Sequence, residues 1–286
     1  MSTTVAPGEV HLATSLAEAT AMLADLGKDG EAVAGGTWTM RALQRHVTPR
    51  HGYIALKRLP ELHGFEPGDA VDLGALMTHS ELAAIDAGPA FECVRSAARE
   101  SAFPQVRNVA TVGGNIRAIG FAEADLVPAL LAAEAQLKLH SPGGNEVVGL
   151  VDYLAGRETR PAGEIITRVQ IPTPSNRRSA FERLTVRTTG EYPIVNVAVS
   201  ADIADGVVRM ARIAVGSVEP VAKLCAAATE LIGRPADDVT AMKAVGEAAA
   251  AELNARDGRD APGWYRTSVL PTLIQRALAR LATDSN

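Results

Sequence analysis

Two glycine pairs constrain this chain more than any other feature in it. Ala34-Gly35-Gly36-Thr37 and Thr111-Val112-Gly113-Gly114-Asn115 each stand between an apolar, strand-like run and another element. Glycine takes positive φ freely and lets a backbone approach a ligand closely. Successive N–H groups can form an anion-binding nest, so two such turns suit a diphosphate held from both sides. Neither segment matches G-x-G-x-x-G or the phosphate loop with its Lys, and a single glycine pair is most often a plain turn. On the residues alone both readings stand.

The elements around these turns mix helix and strand. Ser15-Leu16-Ala17-Glu18 has the S-x-x-E form of a capping box, and Leu16, Ala19, Leu23 and Leu26 recur at helical spacing before Gly27 stops the helix. Ala32-Val33-Ala34 reads as a strand entering the first glycine pair, and Met40, Leu43 and Val47 mark a helical face after it. Residues 53–56 and 71–76 read as strands, Thr78-His79-Ser80-Glu81 repeats the capping-box pattern, and a helix is expected from Pro89 to about Ser101. Residues 109–116, with the second pair, read as a strand and turn entering a helix. Leu137 and Leu139 alternate with Lys138 and His140, and turn chemistry over 141–145 makes a hairpin with 146–150. Ile165, Ile166, Val169 and Ile171 form one more strand before Pro172-Thr173-Pro174-Ser175-Asn176, a polar, Pro-rich stretch suited to a domain boundary. Beyond it, 180–186, 193–201 and 207–216 read as strands and three helical patterns follow. In the last of these, Leu270, Leu273, Ile274, Ala277 and Leu281 share a face, with Pro271 near its start or kinking it.

A chain of 286 residues carries about two domains, and 47% hydrophobic with 21% charged residues is a globular composition. A net charge of -5 without a basic run argues against nucleic acid as a partner. Cys93 and Cys225 have no Cys-x-x-Cys or His neighbours, so no zinc or iron–sulfur site is expected in this chain and both read as buried free thiols. The six His are scattered, His79 beside the Thr78 cap reads as a surface or capping residue, and no metal is expected. The N-terminal residues lack a basic start followed by an apolar run, and no window approaches the ~18 apolar residues of a bilayer span. A cytoplasmic protein without a membrane span is therefore expected.

AVAGGTWTM and RNVATVGGNI, the latter followed by ADLVPALLA, resemble the paired FAD-binding motifs of the flavin (medium) subunit of molybdenum hydroxylases. That family includes the flavoprotein subunit of carbon monoxide dehydrogenases and the FAD region of xanthine dehydrogenases. GEIITRVQIP, FERLTVRTTGEYPIVNVAVSA, RIAVGSVEPVAK and DGRDAPGWYRTSVLPTLIQRAL extend the resemblance, in order, over nearly the whole chain. It implies an α+β fold with an FAD-binding domain of the p-cresol methylhydroxylase (PCMH) and vanillyl-alcohol oxidase type over 1–176, in two α/β lobes of about 1–57 and 58–176. A C-terminal α+β domain over 177–286 would be a small sheet with helices, similar to the C-terminal domain of CO dehydrogenase flavoproteins. The resemblance further implies an oxidoreductase subunit in a heterohexamer of (αβγ)2 form. A large partner would carry molybdenum–pterin and a small partner [2Fe–2S] clusters, with electrons leaving this subunit's FAD for NAD, a quinone or oxygen.

Carried over residue by residue, Ala32, Val33, Ala34, Gly35, Gly36, Thr37, Trp38 and Thr39 match the first FAD loop, where Gly35, Gly36 and Thr37 would hydrogen-bond the diphosphate. Thr111, Gly113, Gly114 and Asn115 would do so from the other side, and Ala102, Val106 and Ala110 lie where the family lines the pocket. Asp125 is expected to accept hydrogen bonds from sugar hydroxyls, and by residue type it reads equally as a helix N-cap. Ile165 and Ile166 match the strand that contacts the isoalloxazine ring, or are plain buried strand residues. Tyr192 falls where carbon monoxide dehydrogenase-like members set an aromatic residue against the flavin, which makes it the candidate catalytic residue; its other reading is a sheet tyrosine with a solvated hydroxyl. Arg183 and Arg187 lie where the family is basic, suited to a reduced anionic flavin, or are exposed strand cations.

The chain departs from the family pattern at Trp38, where a small or acidic residue is usual. It departs again at Arg117, Phe121 and Glu123, in a stretch that is usually rich in small residues and is one residue longer here between Asn115 and Asp125. TTGEY is also one residue longer. Two other functions compete: a stand-alone flavin oxidoreductase, and an assembly module whose flavin site these departures have weakened.

Overall fold

The computed structural model describes residues 8–41, 46, 48–187 and 191–283. Leu43 and Val47 of the expected helical face lie outside the described residues, as do Thr188, Thr189 and Gly190 of the TTGEY segment.

Strand β1 (Glu9–Leu12), helix α1 (Leu16–Leu26) and strands β2 (Gly30–Val33) and β3 (Gly52–Ala55) build the first layer, in which β3 lies between β1 and β2 and parallel to both. Parallel strands need a crossover, and α1 supplies it between β1 and β2. The helix starts where the Ser15 hydroxyl accepts the Glu18 N–H at 3.1 Å and stops at Gly27, with φ at 56°. The reciprocal half of the expected capping box is absent. The Glu18 carboxylate takes both the N–H and the hydroxyl of Thr14 at 2.7 Å, two donors where Ser15 offers only its N–H. These bonds hold the Glu18 carboxyl down at about 2.

The second layer comprises β4 (Phe65–Glu66), β5 (Ala70–Gly74), helices α2 (His79–Ala83), α3 (Glu92–Glu100), α4 (Pro104–Arg107), α5 (Val112–Arg117) and α6 (Leu126–Ala132), the hairpin β6 (Gln136–Ser141) and β7 (Gly144–Gly149), α7 (Leu150–Gly156) and β8 (Ile165–Pro172). Its strands run antiparallel in the order β4-β5-β8-β6-β7. Val71, Leu73, Leu137, Val169 and Ile171 from the sheet and Leu126, Leu130 and Leu131 from α6 share one core. At Thr78 the capping box is complete, with bonds in both directions between Thr78 and Glu81. Residues 109–116 differ from expectation: Thr111 caps α5, so the second glycine pair is the first turn of a helix and not a strand-to-helix turn. Glycine is a poor helix former, but the Thr111 cap and the bonds from Val112 N–H to Met77 and Gly113 N–H to Ala75 offset that weakness.

The third layer is an antiparallel sheet of β9 (Arg177–Leu184), β10 (Val195–Ala204), β11 (Val207–Gly216) and β12 (Lys223–Leu224) in the order β12-β11-β10-β9. Of the three helical patterns expected after it, the first is the 3-10 turn Ala226–Leu231, followed by α8 (Val239–Ala251) and α9 (Gly263–Thr283). Side chains alternate across a strand, and here both faces are buried. Ala180, Val197, Val199, Ile213 and Val215 pack in one core with Leu270, Leu273, Ile274, Ala277 and Leu281 of α9. Phe181, Ala198 and Ala214 belong to the core of the second layer, so the sheet carries helices on one side and α3 and α6 on the other. Pro271 lies inside α9, where α8 passes so near that a Cβ on Gly246 would stand 2.9 Å from its carbonyl oxygen.

Ion pairs join the second and third layers. Arg177, 6% exposed, reaches Asp202 at 2.7 Å and Glu134 at 2.6 Å, and Arg212 pairs with the same Glu134. Among the described residues no helix is long and apolar enough to cross a membrane, and no group of His, Cys, Asp and Glu could hold a metal ion. Cys93 and Cys225 are free and buried, and burial pushes both thiols up to about 12.

A thiolate is the reactive form of cysteine, so neither thiol should react with an aromatic disulfide reagent in the native protein at about pH 8, whereas both should react after unfolding in urea. Stoichiometric reaction of the folded chain within seconds would contradict this burial. Arg177→Ala should lower stability by about 2–3 kcal/mol, read from urea midpoints, because it strands Asp202 and leaves Glu134 with Arg212 alone. An unchanged midpoint would show that this seam is incidental.

Candidate cofactor site

The two glycine segments meet. A Cβ built on Gly35 would fall 1.7 Å from the carbonyl oxygen of Val109, an approach open only to a residue without a side chain. Gly114 faces Ala34, whose methyl lies 3.9 Å from the corresponding Cβ position. On the first segment the N–H groups of Gly35, Gly36 and Thr37 hydrogen-bond to nothing among the described residues, so they are available to an anion. Thr39 turns away and donates its hydroxyl to Glu31 at 2.7 Å.

The second segment corrects the expectation that its glycines offer N–H groups to the diphosphate. Gly113 N–H donates to the Ala75 carbonyl at 2.8 Å, Gly114 N–H to the Thr111 hydroxyl at 3.2 Å and Asn115 N–H to the Thr111 carbonyl at 2.9 Å. Forming α5 engages all three donors. What this side presents is side chains: the Thr111 hydroxyl proton and the Asn115 amide, whose Nδ2 can donate to an anion while its buried Oδ1, which has no partner, is an acceptor.

The pocket-lining candidates lie beneath that segment. Ala102 has a left-handed φ of 42°, held by the Arg107 guanidinium, which donates to the Ser101 and Ala102 carbonyls at 2.9 and 2.7 Å. Val106 is half-buried on α4, and its carbonyl accepts the Ala110 N–H at 2.7 Å. Ala110 in turn accepts the His79 N–H. His79 is therefore not a surface residue. The Thr78 cap turns α2 under the 101–110 segment, His79 is buried with Nδ1 2.7 Å from the Ser101 hydroxyl, and burial, then Arg107, pushes it down to about 4. Ile165 packs in the first layer's core, against which Ala32 and Ala34 of the first glycine segment rest, and Ile166 in the second's, together with Val112 of the second segment.

Asp125 stands at the head of α6, but its side chain caps nothing. It is 5% exposed, accepts a hydrogen bond from Asn196 Nδ2 at 2.9 Å and faces Arg183 at 3.1 Å. Burial raises its carboxyl to about 6 despite the opposing pull of Arg183 and Asn196. Arg183 is partly buried, its side chain 10% exposed, and is not an exposed strand cation; it also donates to the carbonyls of Glu100 and Glu191. Arg187 does remain exposed, 3.5 Å from the Glu191 carboxylate.

Tyr192 is 37% exposed and accepts a hydrogen bond from Arg41. Its ring meets Phe121 edge-on at 5.5 Å, and Phe121 stacks on Trp38 at 4.6 Å with 28° between planes. The Trp38 indole N–H donates to the Ile119 carbonyl at 3.1 Å. Sequence reasoning missed Arg41, Asn196 and the pairing of Trp38 with Phe121. The available signal was that both aromatics depart from the same family pattern. A cavity of about 610 Å³, lined by Leu131, Leu154, Arg157 and Leu224 among others, touches none of these residues.

The folded-state value of Asp125 lies above the ordinary 3.8, so the folded protein holds this proton more tightly than the unfolded chain. Its contribution to stability therefore falls as pH rises from about 4 to about 6 and is level above that. Asp125→Asn should remove this slope, so the gap between wild-type and variant urea midpoints should change across that window and stay constant from about pH 7 to about pH 8. A gap independent of pH throughout would contradict the raised carboxyl.

Residues 5–174 match the family described as FAD binding domain in molybdopterin dehydrogenase, and residues 179–281 match the CO dehydrogenase flavoprotein C-terminal domain. The chain is 31% identical over 279 residues to the carbon monoxide dehydrogenase medium chain of Afipia carboxidovorans, covering 95% of this chain and 96% of that one. With the nicotine 6-hydroxylase medium subunit of Paenarthrobacter nicotinovorans it shares 28% identity, over 88% of this chain and 89% of the relative. A solved chain of the cyanide-inactivated Cu,Mo-CO dehydrogenase superposes with a TM-score of 0.89 at 27% identity, over 98% of this chain and 99% of that one. With both parts matched in order, and the glycine segments of the first part in contact, this chain belongs to the FAD-binding flavoprotein family of molybdopterin dehydrogenases.

Proposed function

We propose that this chain is the electron-exit subunit of a molybdenum hydroxylase complex. It holds FAD, receives electrons from [2Fe–2S] clusters of a small partner subunit and passes them to an external acceptor such as NAD, a quinone or oxygen. The observation that carries this reading is the contact of Gly35 with Val109, which sets the unengaged N–H groups of residues 35–37 against Thr111 and Asn115. When bound, FAD supplies the coupling between single electrons arriving from clusters and a two-electron exit.

The chain's own residues hold and orient. Within the loop 32–39, Gly35, Gly36 and Thr37 take the diphosphate through main-chain N–H, and the Thr111 hydroxyl and the Asn115 Nδ2 take it through side chains. Gly113 and Gly114 contribute by lacking side chains: a Cβ on Gly113 would stand 2.8 Å from that of Ala75. Asp125 accepts hydrogen bonds from sugar hydroxyls, with Arg183 and Asn196 fixing the carboxylate. Ala102, Val106 and Ala110 line the pocket, Ile165 and Ile166 back it, and Tyr192 stands beside the flavin with its hydroxyl held by Arg41. Substrate chemistry belongs to the large partner with its molybdenum–pterin, so no acid, base or nucleophile is required here. Relatives named as medium chains support a large and a small partner, and assembly as (αβγ)2 belongs to the same proposal. Residues 1–176 form the FAD-holding part, in lobes of about 1–57 and 58–176, and 177–286 the C-terminal part. Free thiols at Cys93 and Cys225 suit the reducing cytoplasm.

The test is the visible spectrum of the complex purified through a tag on this chain, followed by separation of its subunits. Flavin bands on this polypeptide, with iron–sulfur absorption and molybdenum on co-purifying chains, are the expected result. A colourless, solitary chain that cannot be reconstituted with FAD would overturn the proposal. Gly35→Ala should weaken FAD binding by at least about tenfold, because the added methyl overlaps main chain that has no rotamer to yield. Retained affinity, measured by flavin fluorescence titration, would remove the Gly35 wall from the site.

A further inference from the structure

The Trp38–Phe121 stack joins the ends of the two segments that would hold the cofactor. Trp38 follows Thr37 directly, and Phe121 lies just past α5, the helix that begins with the second glycine pair. Gly120, with φ at 70°, bends the chain between α5 and Phe121. Besides the stack, the indole N–H bond to the Ile119 carbonyl links residues 81 apart in sequence. Tyr192 abuts Phe121 edge-on, and Arg41 reaches the Tyr192 hydroxyl.

Trp38 belongs to none of the three hydrophobic cores among the described residues. Trp38, Phe121 and Tyr192 lie in no helix or strand. A tryptophan outside every core, held by a loop carbonyl and a second loop's ring, contributes to closing loop on loop more than to holding the fold.

Resting on the FAD-binding reading above, we infer that Trp38 and Phe121, braced by Tyr192, form an aromatic clasp tying the ends of the two glycine segments together that slows the release of bound FAD. A dinucleotide held between these segments leaves only when the clasp parts, so the strength of the ring pair enters the release rate directly. An aromatic pair is worth roughly a three- to tenfold change in a rate or equilibrium.

The experiment uses the tagged complex in a Trp264→Phe background, which leaves Trp38 as the sole tryptophan of this chain. FAD release is timed by dilution into an excess of a flavin-binding scavenger protein. Trp38→Ala and Phe121→Ala should each release FAD roughly three- to tenfold faster, and the double variant no faster than either, since both remove the same pair. Trp38→Phe should restore slow release. In the separated chain of this background, Trp38 emission should fall when FAD is added. Unchanged release from both Ala variants overturns the clasp, and so does FAD uptake by Trp38→Ala where the parent takes up none, since the stack would then block FAD entry. A chain that takes up no FAD in any variant overturns the FAD-binding reading and the clasp with it.

Discussion

A carbonyl oxygen of Val109 pressed against the Cα of Gly35 sets the spacing on which the rest of the site depends. Contact between two main chains has no rotamers through which to relax, so it fixes the first layer against the second more tightly than side-chain packing could. On one side β2 delivers Gly35 at its C-terminal end; on the other the α4 turn delivers Val109 and Ala110. The second side is itself tied down, because Ala110 accepts the His79 N–H while Val112 and Gly113 donate to Met77 and Ala75. The main chain that would face a cofactor is thus held by bonds that do not involve one.

The third layer is docked on this frame by packing and oriented by charge. Ala198 and Ala214 present only methyl groups to α6, so the helix lies close to the sheet and the apolar area buried there supplies cohesion. The polar seam works differently. Buried ion pairs add little net stability because desolvation opposes the attraction, yet breaking one leaves a charge stranded. The Asp125–Arg183–Asn196 cluster and the Arg177–Glu134–Asp202 group therefore specify how the sheet sits more than how strongly it holds. Asp125 has its carboxyl raised by that burial, the physical trace of a group kept from water by the docked sheet.

Local signals in the sequence translated well where the local chain decides the outcome. The turn at 142–143 closes the β6–β7 hairpin as expected, Thr78 and Glu81 complete their capping box, and the five apolar residues chosen on α9 are all buried on one face. Expectations failed where a distant partner intervened. The Ala75 carbonyl took the Gly113 N–H of the second glycine pair, and His79 went inside because the 101–110 segment lies over it. Arg183 reads as a surface cation by its place in an alternating strand, and only the docking of α6 gives it Asp125 as a partner.

By itself the sequence determined the family, the order of the elements and the identity of the glycine segments, because periodicity, caps and turn residues act over a few positions and are written locally. Tertiary structure decided which donors those segments have to offer and which residues sit on the seam. It also brought Trp38, Phe121 and Tyr192 together from three separate loops. Hydrogen-bond donors are exhausted by whichever acceptor arrives, and charges are buried by whichever surface docks, so both outcomes depend on neighbours far along the chain.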